Sequence, residues 1–314
     1  MANSESSHQD HEKHDHDHAH SQAPANFGRA FAIGVFLNLS YVGVQVVCGL
    51  LAHSVALLAD AAHNLSDVLA LLLAWGASIL VRRLPTRRFT YGLRKTSILA
   101  ALVNAAFLLL VTGGIAWEAL RRVLHPVAVE GSIVAWVAAL GILINGATAL
   151  LFMSGRKSDL NIRGAFLHMI ADAFVSLGVL ITGVGIIYTG WLWLDPVVSI
   201  VVSGVIVVGT WGLLRDSVRM ALDAVPEGID VGEVQKYLEA LAGVTEVHDL
   251  HVWAMSTTET ALTAHLVMPG GHPGDWFVAR LCEDLRAKFR IVHVTVQVET
   301  DPDHPCALAP ANVV

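Results

Sequence analysis

The sequence predicts a membrane all-α domain of six transmembrane helices followed by a cytoplasmic α+β domain of ferredoxin-like type, with the element order αββαβ. Three observations carry this. Long apolar runs recur through the first two-thirds of the 314-residue chain. Only 15 % of its residues are charged, against about 25 % in soluble domains. Past Arg215 the apolar runs stop and short alternating and amphipathic segments replace them. Four segments follow: a disordered His-rich cytoplasmic tail over 1–26, a transmembrane domain over 27–215, a soluble domain over 216–300 and a C-terminal tail over 301–314.

A membrane helix needs about 20 apolar residues. Six runs meet that length, over 29–51, 55–81, 97–120, 131–153, 164–188 and 192–214. The link from Leu51 to Ser54 is short enough for a tight hairpin turn. Cationic side chains sort the other links. Arg82, Arg83, Arg87, Arg88, Arg94 and Lys95 lie between the second and third runs, and Arg156, Lys157 and Arg163 between the fourth and fifth. Arg121 and Arg122 alone mark the opposite side. Lys and Arg collect on the cytoplasmic face, so both termini are expected there, as six spans require, with a bacterial inner membrane as the location. No secretory signal precedes the first run. The net charge of −7 says little about partners, and no nucleic acid is expected.

In the soluble part, Asp230 to Ala242 reads as an amphipathic helix with Val231, Val234, Leu238 and Leu241 on one face. Val244 to Met255 and Thr260 to Met268 alternate as strands, and Pro269-Gly270-Gly271 breaks the chain. Trp276 to Phe289 is helical, and Ile291 to Glu299 alternates again.

Two polar intrusions bear on function. His63 and Asp67 interrupt the second run; His168 and Asp172 interrupt the fifth. Each His/Asp pair is four residues apart, which puts both side chains on one helix face. Ionisable groups at membrane depth cost about 2.5–3.5 kcal/mol each on insertion scales and mark functional sites by default. Two imidazoles and two carboxylates make a four-ligand set suited to a tetrahedral dication, zinc above others. At 1.5 Å per residue both pairs can meet near the middle of the bilayer. Asp60, one turn before His63, reads as a supporting or vestibule group. Asn38, Gln45, Asn104 and Asn145 read as interhelical hydrogen-bonding residues.

The tail carries His8, His11, His14, His16, His18 and His20 among acids, a composition that collects metals weakly. The soluble domain holds His248, His251, His265, His293 and Glu299. His248 and His265 fall on neighbouring strands and Glu299 ends the last one. On spacing, a three-ligand cluster and solvated strand residues are both open. Cys48, Cys282 and Cys306 form neither a disulfide framework nor a CxxC pair.

With these stretches in view (Ser54 to Asp67, with Asp60-Ala61-Ala62-His63-Asn64-Leu65-Ser66-Asp67; Asn161 to Asp172; and Val247-His248-Asp249-Leu250-His251-Val252-Trp253) the chain resembles the cation diffusion facilitator family, its zinc-exporting branch, over nearly its whole length. The resemblance implies six helices plus a cytoplasmic ferredoxin-like domain for metal binding and dimerisation, and a homodimer. It implies transport ligands at His63, Asp67, His168 and Asp172, with zinc selectivity favoured by His at the first. It also places His248, His265 and Glu299 at one cytoplasmic metal site, where Zn2+ would regulate. Gln297 stands where some members have a ligating His, which counts against a full two-metal cluster. The basic and apolar loop between the second and third helices predicts no third site. Cys306 follows the last strand near Asp303 and His304, where related transporters can add tail ligands.

The mechanism these readings imply is zinc/proton antiport: ligands must be deprotonated to hold metal, so zinc and protons compete for one site. An intramembrane metalloenzyme would need a general base, as in HExxH, and His63 is followed by Asn64 with no Glu near either pair; the chain reads as a secondary transporter and not an enzyme. A non-transporting zinc sensor, and a carrier of cadmium, cobalt, nickel or iron, are the alternatives.

Overall fold

The computed structural model describes residues 29–81, 83–153, 160–301 and 306–309. The His-rich tail lies outside the described residues. Six long helices come first: α1 (Arg29–Leu51), α2 (Val55–Val81), α3 (Thr96–Leu124), α4 (Gly131–Met153), α5 (Leu160–Thr189) and α6 (Leu194–Ala221). Each overlaps its expected run, and α6 continues past 214 because Arg215, Asp216 and Arg219 extend it as a polar final stretch. Among the described residues, four stretches are long and apolar enough to cross a membrane: Thr96–Leu124, Gly131–Leu150, Met169–Thr189 and Leu194–Ala221.

Helix α2 packs against α1, α3, α5 and α6, and α4 packs along α5. Small residues set the α4/α5 approach. A Cβ on Gly183 would lie 2.6 Å from the Ala135 nitrogen, and one on Gly131 would lie 2.7 Å from the Gly183 carbonyl oxygen. Without a side chain at either position the backbones close up, and packing replaces the hydrophobic drive that lipid does not supply. Tyr41, Leu57, Val134, Val137, Ala138 and Val179 fill the space between α1, α2, α4 and α5. Ala59, Leu108, Val202 and Ile206 seal α2 to α3 and α6.

The α1–α2 turn is held from a distance. His53 adopts a left-handed backbone (φ 53), and the Ser54 hydroxyl accepts from the Leu57 N–H at 3.1 Å as the cap of α2. Asp195, in the first turn of α6 and fully buried, accepts from the Ser54 hydroxyl and from the Val55 N–H at 2.8 Å. Arg122 donates to the His53 carbonyl. A carboxylate at a helix N-terminus also meets the positive end of the helix dipole.

The soluble part is α7 (Val231–Glu239), β1 (Glu246–Ala254), β2 (Thr260–Val267), α8 (Asp275–Phe289) and β3 (Ile291–Glu299), the expected αββαβ order. Asp230 caps α7 by accepting from the Gly232 and Glu233 N–H groups. The sheet runs β1-β2-β3, with β1/β2 antiparallel and β2/β3 parallel. Among the described residues no strand separates β2 from β3, so β2–α8–β3 is an unsplit crossover unit. Val234 and Leu238 of α7 pack with Leu262, Leu266, Leu281 and Leu285 to form the core of this domain. The basic loop before α3 docks on this domain: Arg94 pairs with Glu259 at 2.9 Å, Lys95 with Asp223 at 2.7 Å, and the Thr257 N–H donates to Ser97.

Candidate metal centres

Two clusters of metal-ligating side chains stand among the described residues. In the helical domain, α2 carries His63 and Asp67 on one face, and α5 carries Asp172 opposite. The His63 Nε2 lies 3.1 Å from Asp172 Oδ1 and 3.9 Å from Asp67 Oδ2. These three offer ligand atoms within 4.8 Å of one another. Tetrahedral ligands at bond lengths of about 2.0–2.3 Å lie roughly 3.3–3.8 Å apart, so the spacing fits one small dication. The Asp172 side chain is 3 % exposed, His63 21 % and Asp67 27 %. His168 belongs to α5, one turn before Asp172; its side chain lies outside the described residues.

Asp60 does not join this cluster. It is fully buried, accepts from the Gln45 amide at 2.6 Å and from the Ser176 hydroxyl at 3.3 Å, and Gln45 in turn accepts from the Asn64 amide at 3.1 Å. This network ties α1 and α5 to α2 on either side of His63. Gln45 bonds across helices as expected. Asn104 Oδ1 and Asn145 Nδ2, by contrast, are buried with no hydrogen-bond partner among the described residues.

The second cluster lies at one end of the sheet. Antiparallel register sets His248 directly opposite His265, and parallel register sets Val267 opposite Glu299. Glu299 Oε1 lies 2.9 Å from His265 Nδ1 and 3.4 Å from His248 Nε2. The chain after β3 returns Cys306, whose Sγ lies 3.5 Å from His265 Nδ1. All four residues offer ligand atoms within 4.8 Å of one another. The sequence left Cys306 outside the three-ligand set; the tail path that returns it is not a local signal. Neither ring nitrogen of His248 makes a hydrogen bond among the described residues, though its side chain is only 7 % exposed. A buried imidazole whose nitrogens face carboxylates at 3.4–3.5 Å without hydrogen-bonding them, close to a thiol, fits a metal ion. Burial pushes the Glu299 carboxyl up, but the Cys306 hydrogen bond and the charges of His248 and His265 outweigh it and hold the group below the usual range. Glu299 is therefore ready as an anionic ligand. Gln297 faces His265 in register but donates to Glu299 at 3.2 Å. His251 stands apart, 2.8 Å from Asp249, and His293 stacks edge-on against Tyr91 at 5.5 Å.

Comparison with known proteins places both halves. The model of the cation efflux transmembrane domain matches residues 31–221, and that of the cation efflux protein cytoplasmic domain matches residues 226–301. Over 280 residues the chain is 35 % identical to the cation efflux system protein CzcD of Alcaligenes sp., covering 89 % of each. It is 37 % identical to the zinc transporter ZitB of Escherichia coli over 276 residues, 87 % of each chain. It is 32 % identical to a cadmium, cobalt and zinc/H(+)-K(+) antiporter of Bacillus subtilis over 282 residues, 87 % of this chain and 89 % of that one. A solved metal-bound C-terminal domain of the CzcD transporter from Cupriavidus metallidurans is 39 % identical, covering 23 % of this chain and 99 % of that domain, at a TM-score of 0.21.

Proposed function

This chain belongs to the cation efflux family, whose members are transporters and not enzymes, and from that premise we propose that it exports zinc from the cytoplasm in exchange for protons. As a membrane protein of metal cation efflux it must hold a dication part-way across a low-dielectric layer. The observation that carries the proposal is the meeting of His63 and Asp67 on α2 with Asp172 on α5, 3.1 Å apart at the nearest atoms. His168, one turn from Asp172, is the fourth ligand. Two carboxylates balance a 2+ charge, and two imidazoles favour zinc. When the ion leaves, uncompensated buried carboxylates are costly, so protons take its place. Loading on the cytoplasmic face and release on a more acidic face then gives net export by alternating access.

In this reading all six helices span the bilayer, both termini face the cytoplasm, and Arg83, Arg87, Arg88, Arg94 and Lys95 lie on that face. The soluble domain pairs two copies into a homodimer. His248, His265, Glu299 and Cys306 bind a regulatory zinc there, tying transport to cytoplasmic zinc level. A wider cation range is the second reading, favoured by the Bacillus subtilis relative, whose name includes cadmium and cobalt; affinity order by itself does not set selectivity.

Purified protein in liposomes with an imposed pH gradient tests this. Zinc flux should follow the gradient, exceed cadmium and cobalt flux, and vanish in Asp67→Ala and Asp172→Ala variants that retain the wild-type helical circular dichroism. Flux indifferent to the gradient would remove the antiport, and wild-type rates in either variant would remove the site.

A further inference from the structure

We propose that Asp249 is a positioning residue of the cytoplasmic cluster, fixing the His265 ring so that Nδ1, and not Nε2, presents its lone pair to the metal. This rests on reading His248, His265, Glu299 and Cys306 as a metal site. The two nitrogens of His265 face different ways. Nδ1 lies 2.9 Å from Glu299 and 3.5 Å from Cys306. Nε2 has Asp249 Oδ2 at 3.4 Å. A neutral imidazole carries its hydrogen on the nitrogen that does not bind, and a carboxylate facing that nitrogen sets both tautomer and ring angle.

The fold goes out of its way to put Asp249 there. The β1/β2 register slips between His248 and His251, and Asp249 at that bulge adopts a left-handed backbone, φ 49. In a regular strand, alternation would turn residue 249 to the face opposite His248. The bulge instead re-aims its carboxylate toward the neighbouring strand. The second oxygen is anchored by His251 Nε2 at 2.8 Å, and the Asp249 side chain is only 12 % exposed. His248 also has a carboxylate behind it, Glu246 at 3.5 Å from Nδ1, but that side chain is 62 % exposed. Solvent screens such a contact, which contributes little. The two histidines therefore differ: one ring is set by a nearly buried acid and the other is not.

The test uses the full-length protein in detergent with Co2+ as the probe. Cys306 gives a sulfur-to-cobalt charge-transfer band that the sulfur-free transport ligands cannot produce, so the band reads the cytoplasmic site alone. Asp249→Asn is the informative variant, since Asn tolerates a left-handed backbone as well as Asp does. It should reach the same band at saturation but need about 10–100-fold more Co2+, while Glu246→Gln should titrate within about twofold of wild type. With the site filled by diamagnetic Zn2+, 15N spectra should show metal on His265 Nδ1 and the ring proton on Nε2, and Asp249→Asn should show a mixture of Nδ1-bound and Nε2-bound rings. An unshifted titration in Asp249→Asn, or metal on Nε2 with the proton on Nδ1 in the Zn2+-loaded wild type, overturns the inference. A wild type with no charge-transfer band would instead overturn the metal-site reading beneath it.

Discussion

Asp195→Ala should cost about 3–6 kcal/mol of stability while leaving every proposed ion ligand in place. The carboxylate lies in the first turn of α6 and accepts from two groups at the start of α2, the Ser54 hydroxyl and the Val55 N–H. Hydrogen bonds to a charged acceptor contribute about 1.5–3 kcal/mol each, which gives the range. The upper half is expected, because both Asp195 and Ser54 are completely buried and Val55 is 2 % exposed, so water cannot replace the lost acceptor. The truncated side chain also leaves a small void where α6 meets α2. Asp195→Asn keeps one acceptor oxygen and should cost about half as much. Equilibrium unfolding of the full-length protein by detergent titration in mixed micelles, followed through its eight tryptophans, measures both. An Asp195→Ala variant within about 0.5 kcal/mol of wild type would refute the claim that this side chain holds the start of α2.

His63→Asp should shift the proposed transport site toward an all-oxygen set beside His168, and raise cadmium or manganese flux relative to zinc; an unchanged preference in vesicle flux assays would defeat the selectivity argument. Gly183→Ala places a methyl 2.6 Å from the Ala135 backbone nitrogen and should destabilise the α4/α5 pair by about 1–3 kcal/mol through overpacking, whereas Gly178→Ala, with open space around it, should be near neutral in the same unfolding assay. Tyr237 is pushed up to about 12 by burial, with its hydrogen bond to Asp284 and that carboxylate's charge adding to the effect. A raised folded value means the phenol's contribution is complete below pH 10 and is lost as pH rises from about 10 to 12. The Tyr237→Phe variant should lack that decline in alkaline unfolding curves.

The helices and strands were legible because their signals are local. Apolar runs of membrane length mark α1 to α6, and alternation marks Ile291–Glu299 to the residue. The same locality exposed the candidate ligand pairs: His63 with Asp67, and His168 with Asp172, stand four residues apart, just over one helical turn. The αββαβ order could be read too, but not that β3 would lie directly beside β2 in parallel, since strand order depends on how α8 crosses the sheet. The polar residues Asn104 and Asn145 mark where composition stops informing. Composition assigns them hydrogen bonds, but packing alone decides whether a partner arrives, and for one atom of each no partner is present among the described residues.

What the chain determined by itself, then, is written within one or two helical turns or one strand: the helices, the order of the strands along the chain, and which ionisable groups stand one turn apart. What only the tertiary structure decided is which distant groups touch. The Ser54–Asp195 contact joins residues 141 apart in sequence, Gln45 meets Asp60 across the α1–α2 turn, and Cys306 reaches His265 from the tail. The left-handed bulge at Asp249 aims a carboxylate at the neighbouring strand. None of these has a period or spacing that could announce it. Each exists because the fold brings two polar groups within about 3.5 Å of one another, a condition set by the whole fold rather than by any segment of it.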